Sequence, residues 1–292
     1  MAEELPTSPT SEGYVAGAGG AQLYMRRWVP PQTQAHAVLV HGGGEHSGRY
    51  RYTAARFNRD GLALHTFDLP GHGKSPGVRG HINRFDDFIA HTAAIIKLVT
   101  SEYGSQPVLF GHSLGGLICT YYAVQHPDTI NCLVLSSPFW GLGVHVPTWK
   151  RAIARLLSPV WPSLTLARPK ALEQTLTHDV RAYAQYLADP LVHSRASVRL
   201  YTETRARLDE VVDQVLPKLT VPVLVLQADD DRIASVTTII NGFRRIGSSV
   251  KRKIEYPRLY HELFNETERE AVWRDVIEWL RERGVLRPPT SA

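Results

Sequence analysis

The chain has only two cysteines in 292 residues, Cys119 and Cys132, which excludes a disulfide framework. Both fall in apolar stretches and read as buried core thiols, since neither stands at a sharp turn or helix N-terminus that would lower a thiol pKa. No apolar run approaches the roughly 20 residues that a membrane span needs. The opening stretch Met1 to Pro9 is acidic and proline-containing, without the basic and apolar regions of a secretion signal. The expectation is a cytoplasmic protein, at most peripheral to a membrane. A basic helix and arginine-aromatic repeats are also missing, and a net charge of +5 is modest, so nucleic acid is not an expected partner.

What is present is ordinary for a globular enzyme: 43% hydrophobic and 21% charged residues, in a chain long enough for a large core. Strand-like runs alternate with helix-like runs, the pattern of an α/β fold whose mostly parallel sheet is covered on both faces. An antiparallel hairpin is read over Tyr14 to Val29, broken at Gly17 to Gly20. Buried strands follow at Ala35 to Val40, Ala63 to Phe67, Pro107 to Phe110, Asn131 to Leu135, Val221 to Leu226 and Lys253 to Tyr256. Helices are read at Tyr50 to Asp60, Arg84 to Tyr103, Leu114 to His126, Ser235 to Arg245 and Glu266 to Arg283, the last with a core-type stripe of Val272, Val276, Trp279 and Leu280. The alternation breaks between about Gly141 and Leu216. The expected organisation is therefore a core of residues 13–140 and 217–286, a cap inserted at 141–216, and flexible ends at 1–12 and 287–292. The first part of the insertion, rich in tryptophan, leucine and proline, reads as short helices and turns; Val180 to Leu187 and Ser197 to Val212 read as more regular helix.

Gly111-His112-Ser113-Leu114-Gly115 sets a serine between two glycines where a strand runs straight into a helix. So sharp a turn forces strained angles on its central residue and leaves its flanks no room for a Cβ. It lifts the Ser113 hydroxyl clear of the sheet and aims the Leu114 amide, at a helix N-terminus, toward the same space. A serine hydroxyl becomes a strong nucleophile only when a histidine takes its proton, and that histidine is oriented by a carboxylate. His261 is the one histidine that follows the final strand. Asp229, Asp230 and Asp231 follow the strand before it, giving the chain order serine, acid, histidine. Three adjacent carboxylates repel one another and only one can face the histidine; Asp231 is the choice, with the others solvated or satisfying turn amides. The strand from Asn131 ends in Ser136-Ser137-Pro138-Phe139, which offers no acid. The glycine-rich loop His41-Gly42-Gly43-Gly44-Glu45-His46 supplies the second oxyanion amide, assigned to Gly43 beside that of Leu114. It lacks the lysine and hydroxyl residue of a phosphate-binding loop.

With these residues assembled, the chain resembles the monoacylglycerol lipase and lysophospholipase-like branch of the α/β-hydrolase superfamily, nearly from end to end. His41 to Tyr50, HGGGEHSGRY, is similar to that branch's oxyanion-loop motif HGxGEHSGRY, and Asp68 to Ser75 to its DxxGHGxS turn. Gly111 to Gly116, Asp231-Arg232-Ile233 and Tyr260-His261 match its nucleophile, acid and base segments. The resemblance implies Ser113, Asp231 and His261 as triad, the Gly43 and Leu114 amides as oxyanion hole, no cofactor or metal, and a mobile cap over the site. His72 and Asp68 read as structural, and Glu45, His46 and Arg49 as holding their loop.

The expected reaction is ester hydrolysis through an acyl-enzyme, with a lipid or small-molecule ester as substrate. Competing readings are a short-chain carboxylesterase, a serine aminopeptidase and a non-catalytic binding protein of the same fold. An aminopeptidase wants acidic cap residues to receive an amino terminus, but from Lys150 to Arg199 the cap carries Lys150, Arg151, Arg155, Arg168, Lys170, Arg181, Arg195 and Arg199 against Glu173, Asp179 and Asp189. An apolar and basic cap suits transient contact with an anionic membrane surface; solvated arginines account for the same residues. No motif in the cap fixes acyl length or alcohol, and nothing in the sequence sets the oligomeric state.

Overall fold

The computed structural model describes residues 8–167 and 170–288. One eight-stranded sheet runs through the molecule. Its strands are β1 (Ser11–Ala16), β2 (Gln22–Trp28), β3 (Ala35–Val40), β4 (Leu62–Phe67), β5 (Val108–His112), β6 (Leu133–Ser136), β9 (Val223–Ala228) and β10 (Lys251–Tyr256). They lie in the order β1-β2-β4-β3-β5-β6-β9-β10, antiparallel at β1/β2 and β2/β4 and parallel elsewhere. Because the six strands from β4 to β10 run the same way, the loops leaving β3, β5, β9 and β10 emerge at one edge of the sheet. β1 takes in Ser11 and Glu12, paired with Arg27 and Arg26, so the ordered chain starts earlier than expected. Of the expected flexible ends, residues 1–7 and 289–292 lie outside the described residues.

Alternation along the strands divides the core in two. Val38, Val40 and Leu109 face one layer with α2 (Phe85–Tyr103), α3 (Leu114–Gln125) and α8 (Val236–Arg245). Ala37, Leu39, Val108 and Phe110 face the other, with α1 (Arg51–Arg59) and α9 (Arg269–Glu282). Both faces are covered, so β5 and β9 are buried throughout and β3 from His36 onward. The α9 stripe is core, with Val272, Val276, Trp279 and Leu280 all buried; truncating Trp279 to alanine is expected to cost about 3–5 kcal/mol. The helix begins at Arg269 rather than Glu266 because Glu266 turns inward to accept backbone hydrogen bonds. Cys119 and Cys132 are buried free thiols, and burial pushes the Cys132 thiol up to about 12.

The cap comprises α4 (Thr148–Val160), α5 (Lys170–Glu173), α6 (Val180–Ala188) and α7 (Val198–Glu210), with a short antiparallel ladder of β7 (Thr165–Ala167) and β8 (Arg195–Ser197). Where short helices and turns were expected, α4 is one continuous 13-residue helix that carries Pro159 in its last turn and ends at the next residue. A proline there removes one intrahelical hydrogen bond just where the helix stops. The ladder was not foreseen, since two three-residue strands 28 residues apart leave no periodic signal.

Candidate active site

The turn from β5 into α3 has the geometry its glycines demand. Ser113 sits at φ 52 and ψ −118, a strained conformation for a residue with a side chain. Its N–H donates to Ser136 O at 3.1 Å and its carbonyl accepts from Leu117 N at 3.1 Å and Phe139 N at 3.0 Å, so the strain is held from three sides. A Cβ on Gly115 would lie 2.1 Å from Val40 O, and one on Gly111 would lie 2.6 Å from Gly115 O. Larger residues at either place would push the helix off the sheet.

His261 and Asp231 meet at the same edge, with His261 Nδ1 donating to Asp231 Oδ2 at 2.6 Å and both side chains buried. The other carboxylate oxygen accepts from Ile233 N at 2.8 Å and Ala234 N at 2.9 Å. Asp229 instead accepts from Gln227 Nε2, and Asp230 pairs with Arg232 at the surface. Of the three aspartates, then, Asp231 is the one bonded to the imidazole. Burial alone pushes the His261 pKa down, but the Asp231 charge and hydrogen bond, with Glu262 and Glu45, raise it above its ordinary value. Among the described residues no hydrogen bond joins Ser113 Oγ to His261; such contacts commonly tighten only with substrate bound.

The loop after β3 passes over the serine. A Cβ on Gly42 would come within 3.1 Å of Ser113 Cβ, and one on Gly43 within 3.4 Å of Leu114 Cδ2. Among the described residues neither the Gly43 nor the Leu114 amide has a hydrogen-bond partner, so both donors are open to a ligand oxygen. Glu45 braces the loop: its Oε1 accepts from Gly42 N at 2.6 Å and Tyr50 OH at 2.8 Å, and its Oε2 from Arg49 at 2.9 Å. Against the penalty of burial, Arg49, His112 and His41 hold the Glu45 carboxyl down at about 2. His41 donates from Nδ1 to Gly42 O and accepts at Nε2 from Leu69 N, which fixes its tautomer. Asp68 accepts from Ser47 N and Lys74 N, anchoring both turns, and His72 lies against the Pro70 carbonyl.

Sequence reasoning missed Glu262. Arg49 reaches it with two hydrogen bonds of 2.6 Å across 213 residues of chain, so Glu45, Arg49 and Glu262 clasp the loop of Gly43 to the loop of His261. The only local signal was an acid directly after the histidine. The cap is stitched to each of these loops. His193 N donates to Gly44 O at 2.9 Å, Gly143 N to Ile233 O at 2.8 Å, and Glu262 N to Leu176 O at 2.8 Å. His46 accepts from Gly48 N at Nδ1 and donates from Nε2 to Asp189.

The family model "Serine aminopeptidase, S33" matches residues 31–268. A monoacylglycerol lipase of Mycolicibacterium smegmatis is 31% identical over 94% of this chain and 99% of its own length. A phospholipase of Bacillus subtilis is 32% identical over 86% and 96%. The crystal structure of a monoacylglycerol lipase from Paleococcus ferrophilus superposes with a TM-score of 0.80 at 34% identity, covering 89% of this chain and 99% of that one. The elbow, the acid–imidazole pair and the braced glycine loop are thus set in a chain that belongs to the serine hydrolases of the monoacylglycerol lipase and lysophospholipase-like branch of the α/β-hydrolase superfamily, within family S33.

Proposed function

We propose that Ser113 is the nucleophile, His261 its general base and Asp231 the acid that orients the base, and that the Gly43 and Leu114 amides form the oxyanion hole. The observation that carries this reading is the buried 2.6 Å hydrogen bond between His261 and Asp231 at the edge where the strained Ser113 turn emerges. His261 takes the Ser113 proton as Oγ attacks the ester carbonyl, and the two amides receive the developing oxyanion. The imidazolium then protonates the departing alcohol. Water then attacks the acyl carbonyl as His261 takes its proton, and the imidazolium returns that proton to Ser113 Oγ as the acid departs, restoring the free serine and neutral histidine. Asp231 remains ionised and stabilises the imidazolium.

The substrate class proposed is a single-chain lipid ester, a monoacylglycerol or lysophospholipid, a reading supported by what the relatives are named for. Delivery from a membrane surface is the second part of the proposal. On α4, Trp149, Ile153, Leu156 and Val160 share one helix face and are 60%, 47%, 73% and 81% exposed, with Lys150, Arg151 and Arg155 on the same helix. An unpartnered apolar face of this kind fits the lipid interface, and the basic residues favour anionic headgroups. Among the described residues no helix is long and apolar enough to cross a membrane, so the contact proposed is peripheral.

The test is hydrolysis of p-nitrophenyl esters of graded chain length beside monoacylglycerol, lysophospholipid and an aminoacyl anilide. Preference for the lipid esters is expected. Exclusive turnover of short esters, or of the anilide, overturns the substrate reading. Vesicle binding that is equal for anionic and neutral lipid overturns the electrostatic part of the membrane reading.

A further inference from the structure

Glu266 is fully buried, yet no lysine or arginine pairs with it among the described residues. Its carboxyl oxygens instead accept from four other donors. Oε1 accepts from Tyr260 N at 2.7 Å and His178 Nδ1 at 2.8 Å; Oε2 accepts from His178 N at 3.0 Å and Thr267 N at 3.1 Å, with the Thr177 hydroxyl a longer contact at 3.4 Å. Burying a carboxyl group is costly unless each oxygen is bonded, and here the bonds come from two distant stretches of chain. Tyr260 and Thr267 bracket the loop that carries His261, whereas Thr177 and His178 belong to the cap.

The same cap segment makes further contacts with that loop. Glu262 N donates to Leu176 O at 2.8 Å, Thr177 Oγ1 donates to Asn265 O at 2.9 Å, and the His178 ring stacks on Tyr260 with centroids 3.7 Å apart. Asp179 pairs with Arg269, the first residue of α9. The Tyr260 N–H held by Glu266 is one peptide away from the imidazole, so its position sets where the His261 side chain begins.

We propose that Glu266 is a positioning residue for His261: it fixes the backbone just before the imidazole, and because the cap residue His178 supplies part of its bonding through both its backbone N–H and Nδ1, that fixation depends on this cap segment being seated. The cap is therefore a structural support of the base as well as a cover. The inference rests on the reading of His261 as the general base. A displacement of about 1 Å in a catalytic group can cost on the order of 100-fold in rate.

The test compares wild type, Glu266→Ala, Glu266→Gln and His178→Phe on a water-soluble short-chain p-nitrophenyl ester, which makes no demand on lipid contact. Glu266→Ala is expected to lower kcat by on the order of 10- to 100-fold with KM within about twofold. The downfield proton resonance of the His261–Asp231 hydrogen bond is expected to broaden or shift. Glu266→Gln, which keeps one acceptor oxygen, is expected to fall between, and His178→Phe, which keeps the stack on Tyr260 but loses Nδ1, to lower kcat least. A purely structural Glu266 lowers the melting temperature and leaves kcat and the resonance of the folded fraction unchanged; that result overturns the proposal. If Glu266→Ala does not fold, the Gln and Phe variants decide by the same two readouts. Labelling of wild type at Ser113 by a fluorophosphonate, with turnover lost in step with labelling, separates failure of this inference from failure of the serine-hydrolase reading.

Discussion

The inward segments of the cap and its outward helix α4 draw on similar residues, aromatic and aliphatic side chains interspersed with basic ones, but end in opposite surroundings. Inward, Leu176, Thr177, His178, Asp189 and His193 spend their polar groups on the loops of the core. Two of the three acids between Lys150 and Arg199 are used this way, Asp179 on Arg269 and Asp189 on His46. Outward, α4 turns Leu156 and Val160 to solvent with no acid on the helix to offset Lys150, Arg151 and Arg155. One face is fixed by directional hydrogen bonds and the other is left able to meet a fluid, non-directional partner. The comparison separates two kinds of demand on the enzyme. Chemistry needs atoms held within tenths of an ångström, and the lipid capture proposed for α4 would need only area and charge.

The sharpest tool for that comparison is a variant that removes chemistry without touching either face of the cap. Ser113→Ala is expected to abolish turnover of every ester, by on the order of 10^4-fold or more, with unchanged circular dichroism and vesicle binding. Residual wild-type hydrolysis breaks the assignment of the nucleophile. Glu45→Gln weakens the brace on the Gly43 loop and is expected to cost on the order of 100-fold in kcat, equally for soluble and vesicle-borne substrate. A selective loss on vesicles would move Glu45 to the lipid side of the divide.

The pH profile probes the inner face directly. In the proposed mechanism His261 must be neutral to accept the Ser113 proton, and its pKa is raised above its ordinary value by Asp231, Glu262 and Glu45 against the downward push of burial. The kcat/KM for a soluble ester is therefore expected to fall about tenfold per pH unit below a midpoint above 6.5. Stability runs the other way: the raised folded-state pKa favours the folded form below the unfolded value, and that contribution is lost as pH rises through the folded value. A midpoint below 6.5 would contradict the inferred field around the imidazole. The smallest effect is expected outside. Ile153→Asp with Leu156→Asp is expected to lower turnover of vesicle-borne monoacylglycerol by about tenfold and leave the soluble ester untouched, since exposed positions contribute little to folding. Equal loss on both substrates would make α4 part of the catalytic scaffold.

Much of this was legible beforehand where the physics is local. The glycines at 111 and 115 are required by close approach, Gly111 to the first turn of α3 and Gly115 to the end of β3, and the motif announced them. Strand and helix positions held to within a few residues because buried runs and helical stripes repeat on short periods. Glu45 and Arg49 were read as braces for the same reason, lying within one loop. Glu262 was given no role, and Glu266 was read only as the first residue of the last helix. A lone acid beside a histidine, or at the start of a helix, is by default a solvated residue, and only its partners on distant segments make it otherwise.

The sequence by itself determined the fold class, the elbow and the order in which serine, acid and histidine arrive at one sheet edge, because strand periodicity, turn sterics and chain order are written in neighbouring residues. The motif also chose Asp231 among the three aspartates. Only the tertiary structure decided that Arg49 ties two loops together through Glu262 and that the cap reaches the loop of His261 through Glu266. These are contacts between residues 88 to 213 positions apart, and their partners are chosen by how the chain packs rather than by any pattern along it.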